Sequence, residues 1–323
     1  CASLGGILIY GCIPPPPPPL EQSSVPSIHM NADAGESQRE EIINEGNVDM
    51  NQAINSCESS GPLDRAWTGV LYEIKFGREE PTGVSQGHDI DGLNSDNGDP
   101  EGCYRSDLLS PEGVEGVDNQ FAKIIPLIEA VGGEAIEGLA QGVINQGRLL
   151  LMLQLTALDD QSLNEDDCVH LESFYGIGTP HIGTQGFIVS GQTFDRDPER
   201  PSTSSRDVQL SESQLEVGGL ELELPLEVFD QSYVFELDRV SINGHFTTDG
   251  EFHGFISGAL DVEAVARRVE MIDGGGMIAE LMPRFLRQQA DLSPDSEGVC
   301  RSLSMTLTFK AKRAYLFDGP EIE

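Results

Sequence analysis

The sequence predicts a mainly β protein with helices (α+β), in which an antiparallel sheet or sandwich is combined with about four helices and with disulfide bonds. Three observations support this class. Segments between residues 208 and 262 alternate apolar and polar residues with period two, as strands with one solvated face do. Two other regions place apolar residues at helical spacing. An even number of cysteines remains beyond the two near the N-terminus.

The first predicted strand covers TGVLYEIKF, residues 68–76. A stretch dense in Gly, Asp, Asn and Ser follows to about residue 117, and a loop of this length is either functional or held by ions. Helices are predicted over residues 118–133, where Pro126 should introduce a kink, and over residues 134–147. The apolar run RLLLMLQLTAL, residues 148–158, is typical of a buried strand.

The second half of the chain is predicted to be rich in strands. Residues 175–186, YGIGTPHIGTQG, should form a flexible loop, because the glycines match neither a dinucleotide-binding nor a phosphate-loop spacing. Two helices should precede the closing strand, the second interrupted at Pro283. The predicted strands cover residues 184–194, 208–217, 219–229, 232–247, 250–262 and 302–317, and the helices cover residues 261–272 and 274–292.

The N-terminal residues indicate export. Residues 2–10, ASLGGILIY, are apolar and too short to cross a bilayer, which fits the end of a signal peptide. Ile9-Tyr10-Gly11-Cys12 resembles a bacterial lipobox, and the resemblance implies that Cys12 is the lipidated first residue of the mature chain, with residues 1–11 a signal-peptide remnant. Two alternatives stay open: Cys1 is the lipidated residue, or residues 2–10 form a buried strand and no lipid is present.

The residues after Cys12 are typical of a tether. Pro14 to Pro19 should form a stiff polyproline II spacer, which would hold a domain away from a membrane surface. We therefore expect residues 12–56 to be a lipidated, Pro-rich disordered tether that ends in a short helix near Glu40–Asn55. Residues 57–323 should form a single folded β-rich domain in the periplasm or outside the cell, anchored to the outer membrane or the cell surface.

The charge balance limits the partners of this domain. There are 55 acidic residues against 19 basic ones, a net charge of −36. Such a surface repels DNA, RNA and anionic lipid at long range, so nucleic acid is not an expected partner. Cations and basic partners are favoured instead.

Cysteine usage predicts two disulfides. Cys57, Cys103, Cys168 and Cys300 form an even set in a chain predicted to be exported. Three pairings are possible, and we favour Cys57–Cys103 with Cys168–Cys300. No CxxC or CxxCH motif is present, so neither thioredoxin-like chemistry nor c-type haem is supported.

The strongest candidate site is GHDIDGLNSDNGDPEGC, residues 87–103, whose side-chain oxygens suit calcium. This segment is similar to the calcium loops of dockerins and thrombospondin type 3 repeats, although Gly87 and Gly98 occupy the first and last positions, where those loops carry acids. The ion must therefore draw ligands from further along the chain. The candidate ligands are Asp89, Asp91, Ser95, Asp96, Asp99, Asp107, Asp118 and Asn119.

Two longer segments resemble stretches of uncharacterised bacterial lipoproteins. They are residues 91–121, which follow the start of the candidate calcium loop, and residues 298–314, GVCRSLSMTLTFKAKRA. The resemblance implies no known activity. It agrees with the export that the lipobox-like residues indicate.

A second candidate site lies in the hairpin VSINGHFTTDGEFHGFIS. A three-residue turn over Thr248–Gly250, with Gly250 left-handed, would place His245 opposite His253 on one face of the sheet. Two imidazoles there could bind zinc or copper, or act as a pH-sensitive pair. The same register predicts an apolar opposite face made of Val240, Ile242, Phe246, Phe252 and Ile256.

The sequence names no activity. The motifs HExxH and SxxK are absent, so an enzyme is not the leading interpretation. We expect a membrane-anchored, non-enzymatic binding or envelope-structural module stabilised by calcium, with another envelope protein or a glycan as partner. The alternative is an extracellular carbohydrate-active hydrolase that uses paired carboxylates.

Overall fold

A computed structural model of the protein describes residues 65–130, 134–159, 161–228, 231–271 and 276–317. The predictions for the signal-peptide remnant, the tether, the helix near Glu40–Asn55, and Cys1, Cys12 and Cys57 lie outside these residues and remain predictions. The described strands are β1 Trp67–Phe76, β2 Leu151–Thr156, β3 Asp166–Ile177, β4 Gln192–Arg196, β5 Thr203–Ser211, β6 Gln214–Val228, β7 Gln231–Phe246, β8 Phe252–Asp261, β9 Leu292–Pro294 and β10 Cys300–Leu316. The described helices are α1 Ile125–Ala130, α2 Glu134–Asn145, α3 Val262–Glu270 and α4 Gly276–Gln289.

Eight of these strands close into a ring. β1 pairs with β2 on one side and with β10 on the other. The pairing then runs from β2 to β3, β5, β6, β7, β8 and back to β10, always antiparallel. β9 is attached outside the ring to β10, and β4 joins β10 in parallel. The prediction of a mainly β chain with four helices is confirmed, and the strands form one large sheet.

The interior of the ring is the hydrophobic core. Trp67 of β1 packs edge-on against Phe246 of β7 at 4.9 Å between ring centroids, although these strands are not neighbours in the sheet. Phe252 of β8 contacts both rings and also Phe309 of β10. These contacts cross the ring, so its interior is filled by side chains, as expected for eight strands.

The hairpin register predicted from the sequence is confirmed. His245 pairs with His253 and Phe246 with Phe252. The turn closes through the amide of Thr247, which donates to the carbonyl of Glu251 at 2.8 Å, and Gly250 has φ +76. The five apolar residues expected on the opposite face are all buried: Val240, Ile242, Phe246, Phe252 and Ile256.

The two prolines act differently from what we predicted. Pro126 does not kink one long helix; a 3₁₀ turn over Gln120–Lys123 ends at Ile124, and α1 starts at Ile125. Proline is tolerated in a first helical turn because its missing N–H would have no partner there. Pro283 lies inside α4, which continues through it. Burial of Met282 and Leu286 against the core favours the unbroken helix.

Two strand predictions also need correction. Of residues 184–194, only those from Gln192 onward are in a strand, because Gly186 and Gly191 both have left-handed φ values that interrupt extended structure. β3 was not predicted at all. It carries polar residues on one face and Ser173 within its buried face, so it lacks a clean apolar period.

The favoured disulfide pairing is wrong. Cys103 bonds to Cys300, with 6.0 Å between their Cα atoms, which excludes both Cys57–Cys103 and Cys168–Cys300. Cys168 is also disulfide-bonded. The loop that carries Cys103 folds back over β10, so its partner is 197 positions away in the sequence.

No helix among the described residues is both long enough and apolar enough to cross a membrane.

Candidate metal centre

The long acidic loop between β1 and the 3₁₀ turn lies on the outer face of the ring, over β8 and β10. The amide of His88 donates to the hydroxyl of Ser257 at 3.2 Å. The side-chain oxygen of Asn119 accepts from the amide of Thr306 at 3.1 Å, and the amide of Gln120 donates to the hydroxyl of Ser304 at 2.7 Å. Small hydroxyl side chains on the two strands therefore hold the loop in place.

Three carboxylates of this loop converge. One ligand oxygen from each of Asp89, Asp91 and Asp118 lies within 4.8 Å of the others, which is close enough for all three to bind one ion. Asp118 is 1% exposed, whereas Asp89 is open to solvent. The cluster is therefore anchored at its inner side and accessible from outside.

Local backbone turns fix the direction of these carboxylates. The amide of Gly92 donates to Asp89 at 2.6 Å, and the amide of Leu93 donates to Asp91 at 2.9 Å. Asp118 accepts from the amide of Ile90 at 2.6 Å. Gly92 has φ +80, which glycine adopts without strain. The turn thus directs Asp89 and Asp91 toward Asp118, which lies 27 residues beyond Asp91 in the sequence.

Negative charge accumulates behind the cluster. Asp107 and Asp291, which follows the end of α4, both interact electrostatically with Asp118. Burial and the neighbouring carboxylates raise the pKa of Asp118 well above its ordinary value, and burial raises the pKa of Asp291 to about 7. Burial also raises the pKa values of Asp91 and Asp107. The site therefore favours binding either protons or a cation.

The remaining predicted ligands lie elsewhere. The amide of Ser95 donates to Asp107 at 2.5 Å, so this buried residue supports the cluster through its backbone. Asp96 and Asp99 belong to an exposed turn in which the amide of Asp96 donates to Asp99 at 2.9 Å. The side-chain amide of Asn119 donates hydrogen bonds to the carbonyl of Gly77 and the hydroxyl of Ser85, and it accepts one from the backbone amide of Thr306.

Sequence reasoning missed two features. Asp291 lies far from the loop in sequence, and no local pattern distinguishes this buried carboxylate from the many exposed acids of the chain. A second acidic cluster, Asp159, Asp166 and Asp167, also brings three ligand oxygens within 4.8 Å. The carboxylate of Asp166 accepts hydrogen bonds from the backbone amides of Asp159 at 2.8 Å and of Cys168 at 3.2 Å. Either cluster could hold a metal ion.

The histidine pair belongs to a row of polar residues that crosses the sheet. The strand registers place its members side by side on β6, β7, β8, β10 and β1, in the order Gln214, His245, His253, Lys310 and Glu73. The two imidazole centroids are 6.1 Å apart, and His253 Nε2 is 2.8 Å from a Glu251 carboxylate oxygen. The row lines a groove of about 410 Å³ beside the acidic loop. Metal binding or pH sensing by the pair stays a prediction.

Comparison with known proteins does not identify a family for this chain. No protein-family model, curated protein or solved structure matches the chain significantly. Function must therefore be argued from the site itself.

Proposed function

We propose that the protein is an exported, membrane-anchored lipoprotein whose folded domain is a non-enzymatic binding or envelope-structural module stabilised by calcium. The convergence of Asp89, Asp91 and Asp118 supports the calcium part of this proposal, and the lipobox-like residues Ile9 to Cys12 support the membrane anchor. Calcium prefers several oxygen ligands in a flexible arrangement, and carboxylates on a glycine-containing turn supply them. The nearby carboxylates of Asp107 and Asp291 strengthen the attraction of the cluster for a cation.

A structural role for the ion follows from the position of the cluster. Asp89 and Asp91 lie in the first half of the acidic loop, and Asp118 lies at its end, next to the residues that bond to β10. An ion bound by all three would join the first half of the loop to its end and hold the loop against the ring. Without an ion, the same carboxylates repel one another.

The same cluster is poorly suited to hydrolysis. Asp118 is almost fully buried and cannot reach a polysaccharide. Glu73, in the groove beside the histidine pair, is 3.2 Å from Lys310 and also pairs with Lys75. These lysines hold the pKa of Glu73 below its ordinary value against the opposing effect of burial, whereas a general acid needs a raised pKa. These features support a binding or structural module over the hydrolase alternative.

Calcium should raise the thermal unfolding midpoint of the purified, unreduced protein by several degrees relative to excess EDTA. An ion that binds only the native state contributes about 2.7 kcal/mol at 100 times its Kd. Asp91→Asn should remove the difference between the two conditions, because the cluster then loses one of its three carboxylates. Differential scanning calorimetry of both proteins in both conditions measures this effect.

Asp96→Asn is the matched control for this experiment. It removes the same charge from the same loop, but Asp96 lies in the exposed turn outside the cluster. The control should keep the full calcium effect. Equal midpoints in calcium and EDTA for the unsubstituted protein would refute the calcium site. If both variants lost the same part of the calcium-induced rise in midpoint, the rise would be explained by general charge screening.

Lipidation should depend on one cysteine. In a bacterial host fed a radioactive or alkyne-labelled fatty acid, the protein should carry label and partition with membranes. Cys12→Ala should abolish both, whereas Cys1→Ala should leave both unchanged. The reverse pattern would assign the lipid to Cys1, and label on neither protein would remove the anchor from the proposal.

A further inference from the structure

A cleft interrupts the wall of the ring between β5 and β6. These strands pair only at Leu210–Leu215 and Ser211–Gln214, next to the turn that joins them. Beyond that point β5 pairs only with β3, and β6 pairs only with β7. The strands β5 and β6 therefore separate from each other. The resulting cleft has a volume of about 190 Å³ and is lined by Pro201 and Thr203 on one side and by Leu222 on the other. It is separate from both acidic clusters described above.

Two buried hydroxyl groups without partners lie in this cleft. Ser173 is 2% exposed and Tyr175 is 3% exposed, and both line the cleft. Neither Ser173 Oγ nor Tyr175 Oη has a hydrogen-bond partner among the described residues. A buried hydroxyl that forms no hydrogen bond destabilises the fold, so a ligand that bonds to both would recover this loss. Burial raises the pKa of Tyr175 well above its ordinary value, so its hydroxyl stays neutral.

The rim of the cleft is strongly negative. Four carboxylates line it, and the β6–β7 register places Glu223 directly opposite Glu236, a destabilising arrangement for like charges. Two cations are nearby. Arg268 is 3.4 Å from Glu236, and Arg200 lies 5.0 Å from the ring centre of Tyr175 and 3.4 Å from Asp197. The rim carboxylates are Glu221, Glu223, Glu236 and Asp238.

We propose that this cleft binds a primary alkylammonium group, with its charged end held by the rim carboxylates and by the oxygen atoms of Ser173 and Tyr175. A bare metal ion fits less well, because the rim carboxylates are not among the groups of described residues whose ligand atoms converge. An ammonium group donates three hydrogen bonds and so can bond to hydroxyl and carboxylate oxygens at once. Its alkyl chain would lie against Leu222 and Leu237. The net charge of −36 would attract such cations from a distance.

Alkylammonium groups can come from free amines or from lysine side chains of a partner protein, and two probes separate these sources. Isothermal titration calorimetry should be run with cadaverine and with Nα-acetyl-lysine methylamide, using pentanediol as the uncharged control. Binding of cadaverine alone indicates a free amine, and binding of the lysine derivative indicates a partner's side chain. Either result supports the site. Absence of binding by both, or equal binding of pentanediol, overturns it.

Two variants test the residues. Glu223→Gln should weaken binding of the active probe about tenfold, since a hydrogen bond to a charged group contributes on that order. Glu280→Gln, which removes an exposed carboxylate on α4, should leave binding unchanged. Tyr175→Phe should weaken binding and also raise the unfolding midpoint, because it removes the buried hydroxyl that lacks a partner. Unchanged affinity in both Glu223→Gln and Tyr175→Phe would overturn the proposal. Neither the probes nor these variants involve the calcium cluster, so failure here leaves the calcium experiment unaffected.

Discussion

Replacing both Cys103 and Cys300 by serine should lower the free energy of unfolding by about 5 kcal/mol. The bond closes a loop of 197 positions, and the entropy that a cross-link removes from the unfolded chain grows with loop length. It also ties the acidic loop to the first residue of β10. The loss should therefore combine a less restricted unfolded state with a looser attachment of the acidic loop.

Urea unfolding of the double variant and of the unsubstituted protein measures this loss. The double variant is preferable to a reducing agent, because reduction would also break the disulfide of Cys168. Peptide mapping without reduction is the companion control and should recover the Cys103 and Cys300 peptides linked to each other. A change in unfolding free energy below about 1 kcal/mol would contradict the cross-link argument. Recovery of a Cys168–Cys300 peptide would contradict the connectivity.

In EDTA, the protein should lose about 3 kcal/mol of stability through Asp291 as the pH rises from about 5 to about 8. The ordinary pKa of this group is 3.8, and in the folded protein burial raises it to about 7. A carboxyl with a raised folded pKa binds its proton more tightly in the folded state. Its stabilising contribution is therefore full below pH 3.8 and is lost as the pH rises through the folded value.

Comparison with Asp291→Asn isolates this effect, because the amide cannot ionise. Urea unfolding in EDTA at several pH values should show a smaller decline for the variant than for the unsubstituted protein. Asp249→Asn, which removes an exposed carboxylate in the β7–β8 turn, should decline like the unsubstituted protein. Parallel pH profiles for the unsubstituted protein and Asp291→Asn would be inconsistent with a raised pKa. Calcium should reduce the decline, because the cation favours the ionised carboxylates nearby.

Local patterns predicted much of the fold. The register of β7 and β8 followed from the turn at Gly250 and from side-chain alternation, because a short turn fixes which residues face each other. Asp89 and Asp91 were predicted as ligands because their spacing and residue types resemble an ion-binding loop, and Asp118 was added because Gly87 and Gly98 stand where such a loop carries acids. Such inferences succeed where neighbouring residues determine the geometry.

Non-local geometry was not accessible in the same way. Ring closure depends on β1 meeting β10, and no short sequence pattern reports that pairing. Cys103 meets Cys300 because the acidic loop folds back over β10. Asp291 joins the cluster for the same reason, since Ser304 of β10 holds its carboxylate. The cleft hydroxyls of Ser173 and Tyr175 could not be identified without the strand β3 that presents them.

The closed ring also constrains how the chain can fold. β10 contacts β1, β4, β8 and β9, yet it is the last of the described strands in the chain. During synthesis, the edges of β1 and β8 that pair with β10 remain unpaired until β10 has been made. Unpaired strand edges can associate with other chains. Contacts between strands so far apart in sequence also slow folding. Removal of β10 should therefore yield an aggregating chain rather than a smaller folded protein, and cellular factors that keep the nascent chain extended until β10 emerges should increase its soluble yield.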